Sequence, residues 1–516
     1  MTSFRAGMIL VAGLVSSITW AADPTTVKGV VYNDQNNNGA RDAGEPGIPQ
    51  VGVSNGIDVT LTDKDGHYQL PITNDSIIFV IKPSQWRTAR DENQLPRFYY
   101  NHKPAGSPSM KFPGVDPTGD LPASVDFPLY AQEEPDTFHV IFFGDPQPRN
   151  VEEVNFIAHD VVEELIGNRN EAVFGVTLGD IVFNDLSVFP VLNGVVGRIG
   201  VPWYNVIGNH DINMDVQTDI LSDETYERFY GPPFYAFNYA KVHFIVLDNV
   251  MWDGEEYHGE FGARQLEWVR KDLAQVPADQ LVVAMMHIPL NGTKDKSDLL
   301  RILEGRPHTF SVSAHWHRQG NFLLGADEDD TPTHHHLVHG TVSGSWWGGA
   351  KDEFGIPHAS MSDGTPNGYS IGTFSGSDYS LKYKASRRPP EFQMAIHAPE
   401  AVSPAESAQT EVVVNVFMGS TQSTVDMRMG DGGEWAPMTL TEREDPFYVA
   451  MKEREFGIER ALGRGVPDPA TSTHLWVANL PANLTPGTHV IHVRTKDMFG
   501  QEFAGYRIIR VEEPAQ

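Results

Sequence analysis

The chain has 516 residues, which is enough for about two to four domains with separate cores. It carries 68 Asp and Glu against 38 Lys and Arg, and this net charge of −30 argues against nucleic acid or an anionic membrane bound through charge. Cysteine is absent, which excludes disulfides, thiolate nucleophiles, zinc–thiolate sites and iron–sulfur clusters. With 40% hydrophobic residues the chain can fill real cores, so a disordered protein is excluded as well.

The first 21 residues have the features of a signal peptide. Arg5 supplies a positive charge, and the apolar run at 6–18 is too short to span a bilayer comfortably. Thr19 and Ala21 stand at positions −3 and −1 of a cleavage site. No later apolar run approaches the ~20 residues of a membrane span. The sequence therefore predicts an exported protein, periplasmic or secreted, with no transmembrane segment after cleavage; the alternative is an N-terminal membrane anchor.

Residues 25–130 are predicted to form a small β-sandwich domain, because strand-like runs alternate with turn-rich stretches and show no helical period. A segment of this domain also fits the spacing of a twelve-residue calcium loop, with Gly39 at the sixth position. Its flanks are strand-like, so an EF-hand is not implied, and its context resembles the B-type repeats of bacterial surface proteins. The alternative is a turn rich in Asn and Asp that binds no ion. The candidate ligands are Asp34, Asn36, Asn38, Ala40, Asp42 and Glu45.

Residues 137–384 show a different pattern, in which short apolar strands alternate with amphipathic helices. Apolar residues recur at steps of three and four within 151–168, and a similar stripe lies within 261–273. This alternation predicts a layered α/β domain. From 390 to 513 the pattern returns to short strands and turns, which is typical of an immunoglobulin-like or fibronectin-like β-sandwich. The expected fold class is therefore multidomain α/β plus β, with a central α/β domain between two β-sandwich domains.

Five segments of the middle region share one arrangement, a short apolar strand followed by polar residues that can bind metals. Ligand sites in α/β sheets gather beyond the carboxyl ends of the strands, so five such loops can meet in one cleft. Aspartate, amide and histidine side chains without cysteine suit a pair of divalent cations of intermediate hardness. The candidates are Asp145, Gln147, Asp180, Asn209, His287, His315 and His317.

This ordered pattern resembles the calcineurin-like metallophosphoesterases, whose motifs run Asp-x-His, Gly-Asp, Gly-Asn-His-Asp/Glu, His and Gly-His-x-His. The resemblance covers roughly residues 137–384 and implies two facing β-sheets flanked by helices. Carried over by position, it implies that Asp145 and His317 hold a first metal and that Asp180 bridges two metals. The second metal would be held by Asn209, His287 and His315.

The resemblance also implies a function, the hydrolysis of phosphate esters by a water that two metals activate. His210 would be the general acid for the leaving group, and Asp211 would orient His210 and raise its pKa. The substrate would be a phosphorylated small molecule, lipid or glycan. Two alternatives remain open: the same site could cleave diester or pyrophosphate bonds, or the protein could be a non-catalytic surface binding protein with a degenerate site.

Two positions depart from the family pattern. Gln147 stands where the family usually has histidine, and Ala314 replaces the glycine before the last pair of histidines. A neutral amide oxygen at the first position would weaken the first metal and favour Mn²⁺ over Fe or Zn. The alternative interpretation is that Gln147 only forms hydrogen bonds and that a single metal is held tightly.

Two further features of the middle region each allow two interpretations. Trp346 and Trp347 lie among glycines, and they form either a wall for the leaving group or part of the core. Strand alternation puts His334 and His336 on one face and His335 on the other. In one interpretation, the histidines of one face reach the metal site. In the other, these histidines are satisfied by ordinary hydrogen-bond partners or exposed to solvent.

Overall fold

The computed structural model describes residues 25–327, 331–455, 465–482 and 484–513. The predicted signal peptide at residues 1–21 lies outside the described residues. Among the helices that are described, none is long and apolar enough to cross a membrane.

The N-terminal region consists of two β-sheets with a shared core. Its strands are β1 (Thr25–Asn33), β2 (Gly52–Ser54), β3 (Val59–Leu61), β4 (His67–Ile72), β5 (Ser76–Ile81), β6 (Trp86–Arg90), β7 (Pro96–Arg97), β8 (Tyr99–His102) and β9 (Phe127–Ala131). The sheets have the strand orders β4-β1-β9-β6-β7 and β3-β2-β5-β8. Buried side chains of both sheets, such as Val31 and Leu70 of one and Val53 and Ile78 of the other, fill the space between them. The predicted β-sandwich is therefore present.

The central region contains both sheets and helices. Its strands are β10 (Thr137–Phe143), β11 (Ala172–Leu178), β12 (Trp203–Val206), β13 (Tyr235–Tyr239), β14 (Val242–Val246), β15 (Val250–Trp252), β16 (Tyr257–Gly259), β17 (Leu281–Met285), β18 (Thr309–Ser313), β19 (Gly320–Leu324), β20 (His334–Val338), β21 (Gly368–Ser375) and β22 (Asp378–Ala385). Its α-helices are α1 (Val151–Ile157), α2 (Glu163–Ile166), α3 (Phe189–Val196), α4 (Glu224–Tyr230), α5 (Gly262–Leu273) and α6 (Lys296–Leu303).

Two mixed sheets form the centre of this region. One has the order β12-β11-β10-β21-β22, with β10, β11 and β12 parallel, and the other has the order β13-β14-β17-β18-β20-β19, with β14, β17, β18 and β20 parallel. Strands β14 and β17 are buried at every position, as expected for parallel strands covered on both faces. Phe142, Phe174 and Phe244 belong to a core to which both sheets contribute. The predicted two-sheet α/β domain is confirmed.

The helical stripe predicted within 151–168 is also confirmed, with one irregularity. Val154, Ile157, Val161 and Leu165 are all fully buried. A π-helical segment, Ala158–Val162, lies between α1 and α2. Such π-helical turns occur as short insertions inside α-helices, and this one continues the apolar stripe.

The C-terminal region is a second pair of β-sheets. Its elements are β23 (Met394–His397), β24 (Ala401–Val402), β25 (Glu411–Val416), β26 (Thr424–Met429), β27 (Ala436–Pro437), β28 (Thr439–Glu444), α7 (Pro446–Glu455), β29 (Thr471–Asn479), β30 (Gly487–Lys496) and β31 (Glu502–Val511). The sheet orders are β23-β25-β29-β28 and β24-β31-β30-β26-β27, around a core that includes Val414, Trp476 and Ile491. Helix α7 was not predicted from the sequence. The domain boundaries 25–130, 137–384 and 390–513 stay a prediction.

A buried ion-pair cluster joins the N-terminal region to the central one. The side chain of Lys103 is 4% exposed, and its Nζ lies 2.8 Å from Asp75, 2.6 Å from Glu224 and 2.9 Å from Glu227. Both glutamates belong to α4 of the central region. Although burial opposes it, Glu227 together with Asp75 and Glu224 raises the pKa of Lys103 above its ordinary value.

We expect Lys103→Met to lower the free energy of unfolding by about 3–5 kcal/mol, because three carboxylates would lose their buried cation. Urea unfolding measures the loss. Lys64→Met is the matched control, since Lys64 is 89% exposed and its Nζ lies 3.6 Å from Asp65. Equal free energies of unfolding for the two variants would show that the cluster does not stabilise the contact between the N-terminal and central regions.

Candidate metal centre

The five predicted loops meet at the carboxyl ends of parallel strands from the two central sheets. Strands β10, β11 and β12 end shortly before Asp145, Asp180 and Asn209, and β17 and β18 end shortly before His287 and His315. The hydrogen bonds and ion pairs described below connect all five loops. The structure therefore brings the predicted side chains together in one cleft to which both sheets contribute.

The backbone of these loops is strained at the centre of the cleft. Asp145, Gln147, Asp180, His315 and His317 all have positive φ, between 32° and 67°. Residues with a Cβ rarely adopt this left-handed region. Such strain persists only where surrounding contacts enforce it, and it clusters at functional sites.

Two glycines allow the loops to approach each other closely. A Cβ added to Gly179, whose φ is +87°, would lie 2.4 Å from Nδ1 of His287. A Cβ added to Gly208 would lie 2.0 Å from the backbone nitrogen of Asp180. A larger residue at Gly179 would therefore push apart loops of the two sheets, and one at Gly208 would push apart two loops of the same sheet.

Four donor atoms lie close together in the cleft, three of them around Nε2 of His287, and we call this group the second cradle. His287 Nε2 lies 3.1 Å from Asn209 Oδ1, 3.2 Å from Asp180 Oδ1 and 3.2 Å from His315 Nδ1. Its other nitrogen, Nδ1, lies 2.8 Å from the carbonyl oxygen of Leu178, which directs Nε2 into the cleft. Atoms that share a cation at about 2.0–2.2 Å are separated by about 3 Å or slightly more, so these distances fit a bound metal.

The charges of the second cradle favour a cation. His287 and His210 hold the pKa of Asp180 below its usual range although burial opposes them. The Asp180 carboxylate in turn raises the pKa of His287 to about 9, again against the effect of burial. Burial together with His287 lowers the pKa of His315 to about 4. The group thus combines an ionised carboxylate with imidazoles at contact distance.

A second pair of donors lies beside it, and we call this pair the first cradle. Asp145 Oδ2 and His317 Nε2 are 3.1 Å apart, and each is buried without a hydrogen-bond partner in the described residues. Buried polar atoms nearly always have a partner, so this pair points to a missing cation. Asp145 Oδ1 accepts a hydrogen bond from the backbone of His315 at 3.0 Å, and His317 Nδ1 lies 2.6 Å from the carbonyl of Gly344. Oxygen and imidazole donors without thiolates fit divalent cations.

The sequence interpretation expected the amide oxygen of Gln147 to be a metal ligand, but the structure shows this amide bound to two protein groups. Its Nε2 donates to Asp180 Oδ2 at 2.7 Å, and its Oε1 accepts from Trp346 Nε1 at 2.5 Å. The residue is 2% exposed, so both ends of the amide bind protein groups. The arrangement matches the alternative interpretation, in which Gln147 forms hydrogen bonds beside the first cradle.

The role expected for Asp211 is also corrected. Its carboxylate accepts hydrogen bonds from the backbone nitrogens of Gly208, Ile181 and Val182 at 2.8, 3.0 and 3.0 Å. It therefore joins two of the loops and does not orient the His210 ring. Burial raises the pKa of Asp211 well above its ordinary value.

His210 is oriented by a residue of the loop that follows β11. Its Nδ1 lies 2.6 Å from Asn184 Oδ1, and its ring stacks on Phe183 with centroids 4.3 Å apart. Its Nε2 lies 4.0 Å from Asp180 Oδ2 in the cleft. Burial lowers the pKa of His210, with Asp180 opposing the shift, whereas the sequence interpretation expected the pKa to be raised.

The two tryptophans lie in different environments, and His334 and His336 have identifiable partners. Trp346 is half-buried with its ring 4.0 Å from that of His317, while Trp347 is fully buried in the core. His334 and His336 share one face and both lie within hydrogen-bond distance of Ser311, at 2.7 and 2.8 Å. They are buried core histidines with ordinary partners.

The calcium-loop residues also lie close together. The side-chain nitrogens of Asn36 and Asn38 approach Asp42 Oδ2 at 2.6 and 2.8 Å, while Asp34 and Glu45 accept hydrogen bonds from the loop backbone. The structure therefore brings these side chains to one turn. Ala40 contributes its backbone nitrogen, which donates to Asn38 Oδ1 at 2.8 Å.

Two solved structures align with parts of the chain at low identity. A purple acid phosphatase from yellow lupin (Lupinus luteus) seeds is 13% identical with a TM-score of 0.36, over 70% of this chain and 67% of that one. A superoxide reductase (neelaredoxin) from Ignicoccus hospitalis is 15% identical with a TM-score of 0.13, over 23% and 80%. No curated protein matches the sequence.

Three family models match successive parts of the chain. Residues 35–114 match the N-terminal part of calcineurin-like phosphoesterases, residues 138–319 match the calcineurin-like phosphoesterase domain, and residues 336–503 match the C-terminal part. The middle match covers every loop that contributes to the two cradles. The chain therefore belongs to the calcineurin-like phosphoesterases and is a metal-dependent phosphoric ester hydrolase that acts on phosphorylated small molecules.

Proposed function

We propose that the protein is an exported phosphoesterase in which the two cradles hold two divalent cations and His210 protonates the leaving group. The observation that carries this proposal is the position of Asp180, whose two oxygens face different neighbours. Oδ1 lies 3.2 Å from His287 in the second cradle, and Oδ2 faces Gln147 and His210. A carboxylate so placed can contact cations on both sides.

Each of the two cradles would bind one cation. When bound, divalent cations supply the Lewis acidity that activates water for attack on phosphorus and the positive charge that neutralises the phosphate oxygens. Asp145 and His317 would hold the first cation, and Asp180 would be shared. Mn²⁺, Fe and Zn all fit these donors, with Mn²⁺ favoured at the first cradle because two of its three protein donors are carboxylates. The remaining ligands, Asn209, His287 and His315, would hold the second cation.

His210 has the geometry of a proton donor to the leaving group. An amide oxygen can only accept, so Asn184 Oδ1 fixes the hydrogen on Nδ1 and leaves Nε2 as the atom that faces the cleft. The side chain is 22% exposed, which leaves it accessible to a bound substrate. Protonation at Nε2 would let His210 donate to the ester oxygen as the bond to phosphorus breaks.

Two aromatic side chains support a leaving group with apolar character. The Trp346 ring covers His317, and the Tyr257 ring, 39% exposed, lies edge-on to His315 with centroids 6.0 Å apart. An aromatic ring beside a histidine of each cradle favours a substrate whose leaving group can contact these rings.

Export is the part of the proposal that rests on sequence alone. The predicted cleavage after Ala21 and the absence of cysteine both suit a periplasmic or secreted protein. Mass spectrometry of the mature N-terminus in the producing cell tests it directly.

We also propose that the loop from Asp34 to Glu45 binds Ca²⁺. The amide nitrogens of Asn36 and Asn38 donate to Asp42 Oδ2 at 2.6 and 2.8 Å, and all three residues stand at positions that supply oxygens in calcium loops. Asp34 is 2% and Glu45 8% exposed, so both carboxylates are buried at the base of the loop. Such burial of acidic groups is consistent with a cation that balances their charge.

The first test of the catalytic proposal is Asp180→Asn, which keeps the side-chain shape but removes the charge. We expect fewer metal ions per chain and a loss of kcat/KM of at least about two to three orders of magnitude. Elemental analysis and turnover of an aryl phosphate measure both effects. The control is Asp185→Asn, because Asp185 bonds Ser187 at the start of a short helical turn. Normal metal content and turnover in Asp180→Asn would reject the assignment.

The second test is His210→Ala, assayed on two classes of ester. Alkyl phosphates need protonation of the leaving oxygen, so we expect a loss of about 10²–10⁴ in kcat/KM on them. Activated aryl phosphates need little protonation and should lose much less, while metal content stays unchanged. Equal losses on both classes would reject the general-acid role.

The calcium proposal is tested by thermal unfolding of the full chain with and without millimolar Ca²⁺. Binding to the folded state alone stabilises it by about 2.7 kcal/mol when Ca²⁺ exceeds Kd a hundredfold. We expect Ca²⁺ to raise the Tm of the wild type and of Asp65→Asn, which changes another exposed acidic turn, but not that of Asp42→Ala. An identical Ca²⁺ response in all three proteins would leave the loop as a turn that binds no ion.

A further inference from the structure

The orientation of the Gln147 amide is fixed by Trp346. An indole nitrogen can donate a hydrogen bond but cannot accept one. Because Trp346 Nε1 lies 2.5 Å from one end of the amide, that end must be the oxygen. The NH₂ end therefore points to Asp180 Oδ2 at 2.7 Å. An NH₂ group has no lone pair for a cation, so Gln147 presents its donor side to the centre of the cleft.

Trp346 is itself held rigidly beside the first cradle. Its φ is +55°, and its ring stacks on His317 at 4.0 Å with an interplanar angle of 28°. The carbonyl of Gly344, two residues earlier, lies 2.6 Å from His317 Nδ1. The backbone nitrogen of Ser343 donates to the carbonyl of Asp145 at 3.2 Å. The loop that carries Trp346 is thus attached to both members of the first cradle.

We propose that Trp346 is a positioning residue that prevents Gln147 from acting as a metal ligand, so that the two cations are held unequally. The second cradle offers four protein donors. The first offers Asp145, His317 and the shared Asp180, whose Oδ2 is already engaged by an amide hydrogen. This inference rests on the ligand assignment proposed above.

The inequality has a chemical consequence for this cleft. A cation with fewer protein donors keeps more positions open, and open positions are what distinguishes catalytic from purely structural metal sites. The first cation would therefore bind more weakly and would be completed by water or by substrate phosphate oxygens. Its buried protein partners, Asp145 and His317, would serve mainly to place it.

Binding of Mn²⁺, counted by electron paramagnetic resonance and calorimetry on protein stripped of metal, tests this proposal without any turnover. We expect the wild type to show two sites whose Kd values differ at least tenfold. Trp346→Phe keeps the ring over His317 but removes the indole hydrogen, so Gln147 can turn its oxygen inward. We expect the weaker site to tighten about tenfold, the scale of effects from groups that orient metal ligands.

The matched control is Trp347→Phe. Trp347 is fully buried, and its indole nitrogen has no hydrogen-bond partner in the described residues, so both Kd values should stay at their wild-type levels. Circular dichroism verifies that each variant is folded. Two equally tight sites in the wild type, or the same change in both tryptophan variants, would overturn the proposal.

Two further variants separate this inference from the ligand assignment. Gln147→Ala removes no ligand if the proposal is right, so neither site should weaken; a weakened first site would show that Gln147 binds metal and would overturn the inference. His287→Ala should abolish the tight site. If His287→Ala retains that site, the ligand assignment itself fails, whatever the result for Gln147 and Trp346.

Discussion

A single buried carboxylate, that of Asp180, connects the loops on which the cleft depends. Its oxygens accept hydrogen bonds from Gln147 and from the backbone of His210, and one of them contacts His287. These three partners follow β10, β12 and β17, so the carboxylate joins both central sheets. A buried charge without partners costs several kcal/mol, and this one is stabilised only while all the loops keep their places. The architecture of the two sheets is therefore a condition for ionising this group inside the protein.

The rest of the cleft maintains that condition through rigid backbone. Five residues of the loops keep positive φ, and Asp211 braces two of the loops by accepting three backbone hydrogen bonds. Gly179 and Gly208 permit contacts that any side chain would block. These contacts offset the backbone strain and hold the candidate ligands in place before any substrate binds. Groups fixed in advance in this way are the condition for electrostatic preorganisation.

The strands and the loops with candidate ligands were predicted because each depends on a local pattern. Their meeting point was predicted because loops at the carboxyl ends of strands gather in one place. Hydrogen-bond partners depend on tertiary structure, and the interaction expected between Asp211 and His210 is replaced by others. Asn184, which orients His210, is 26 residues away in the chain, and Trp346, which binds Gln147, is 199 residues away. Asp211 is adjacent to His210, yet its side chain turns away to the backbone. Proximity in sequence therefore misidentified the partner of His210.

The net charge of the chain gives the proposed unequal pair of cations a consequence for substrate binding. The chain carries a formal charge of −30, and Asp145 and Asp180 place two of its carboxylates, both buried, in the cleft where we propose that the phosphate binds. A phosphate ester is repelled by this field until positive charge is present in the cleft. Occupancy of the first cradle would then govern both the charge of the cleft and the coordination positions open to phosphate. Because Trp346 turns Gln147 away from that cradle, one indole hydrogen bond outside the ligand set would influence how readily the substrate is bound.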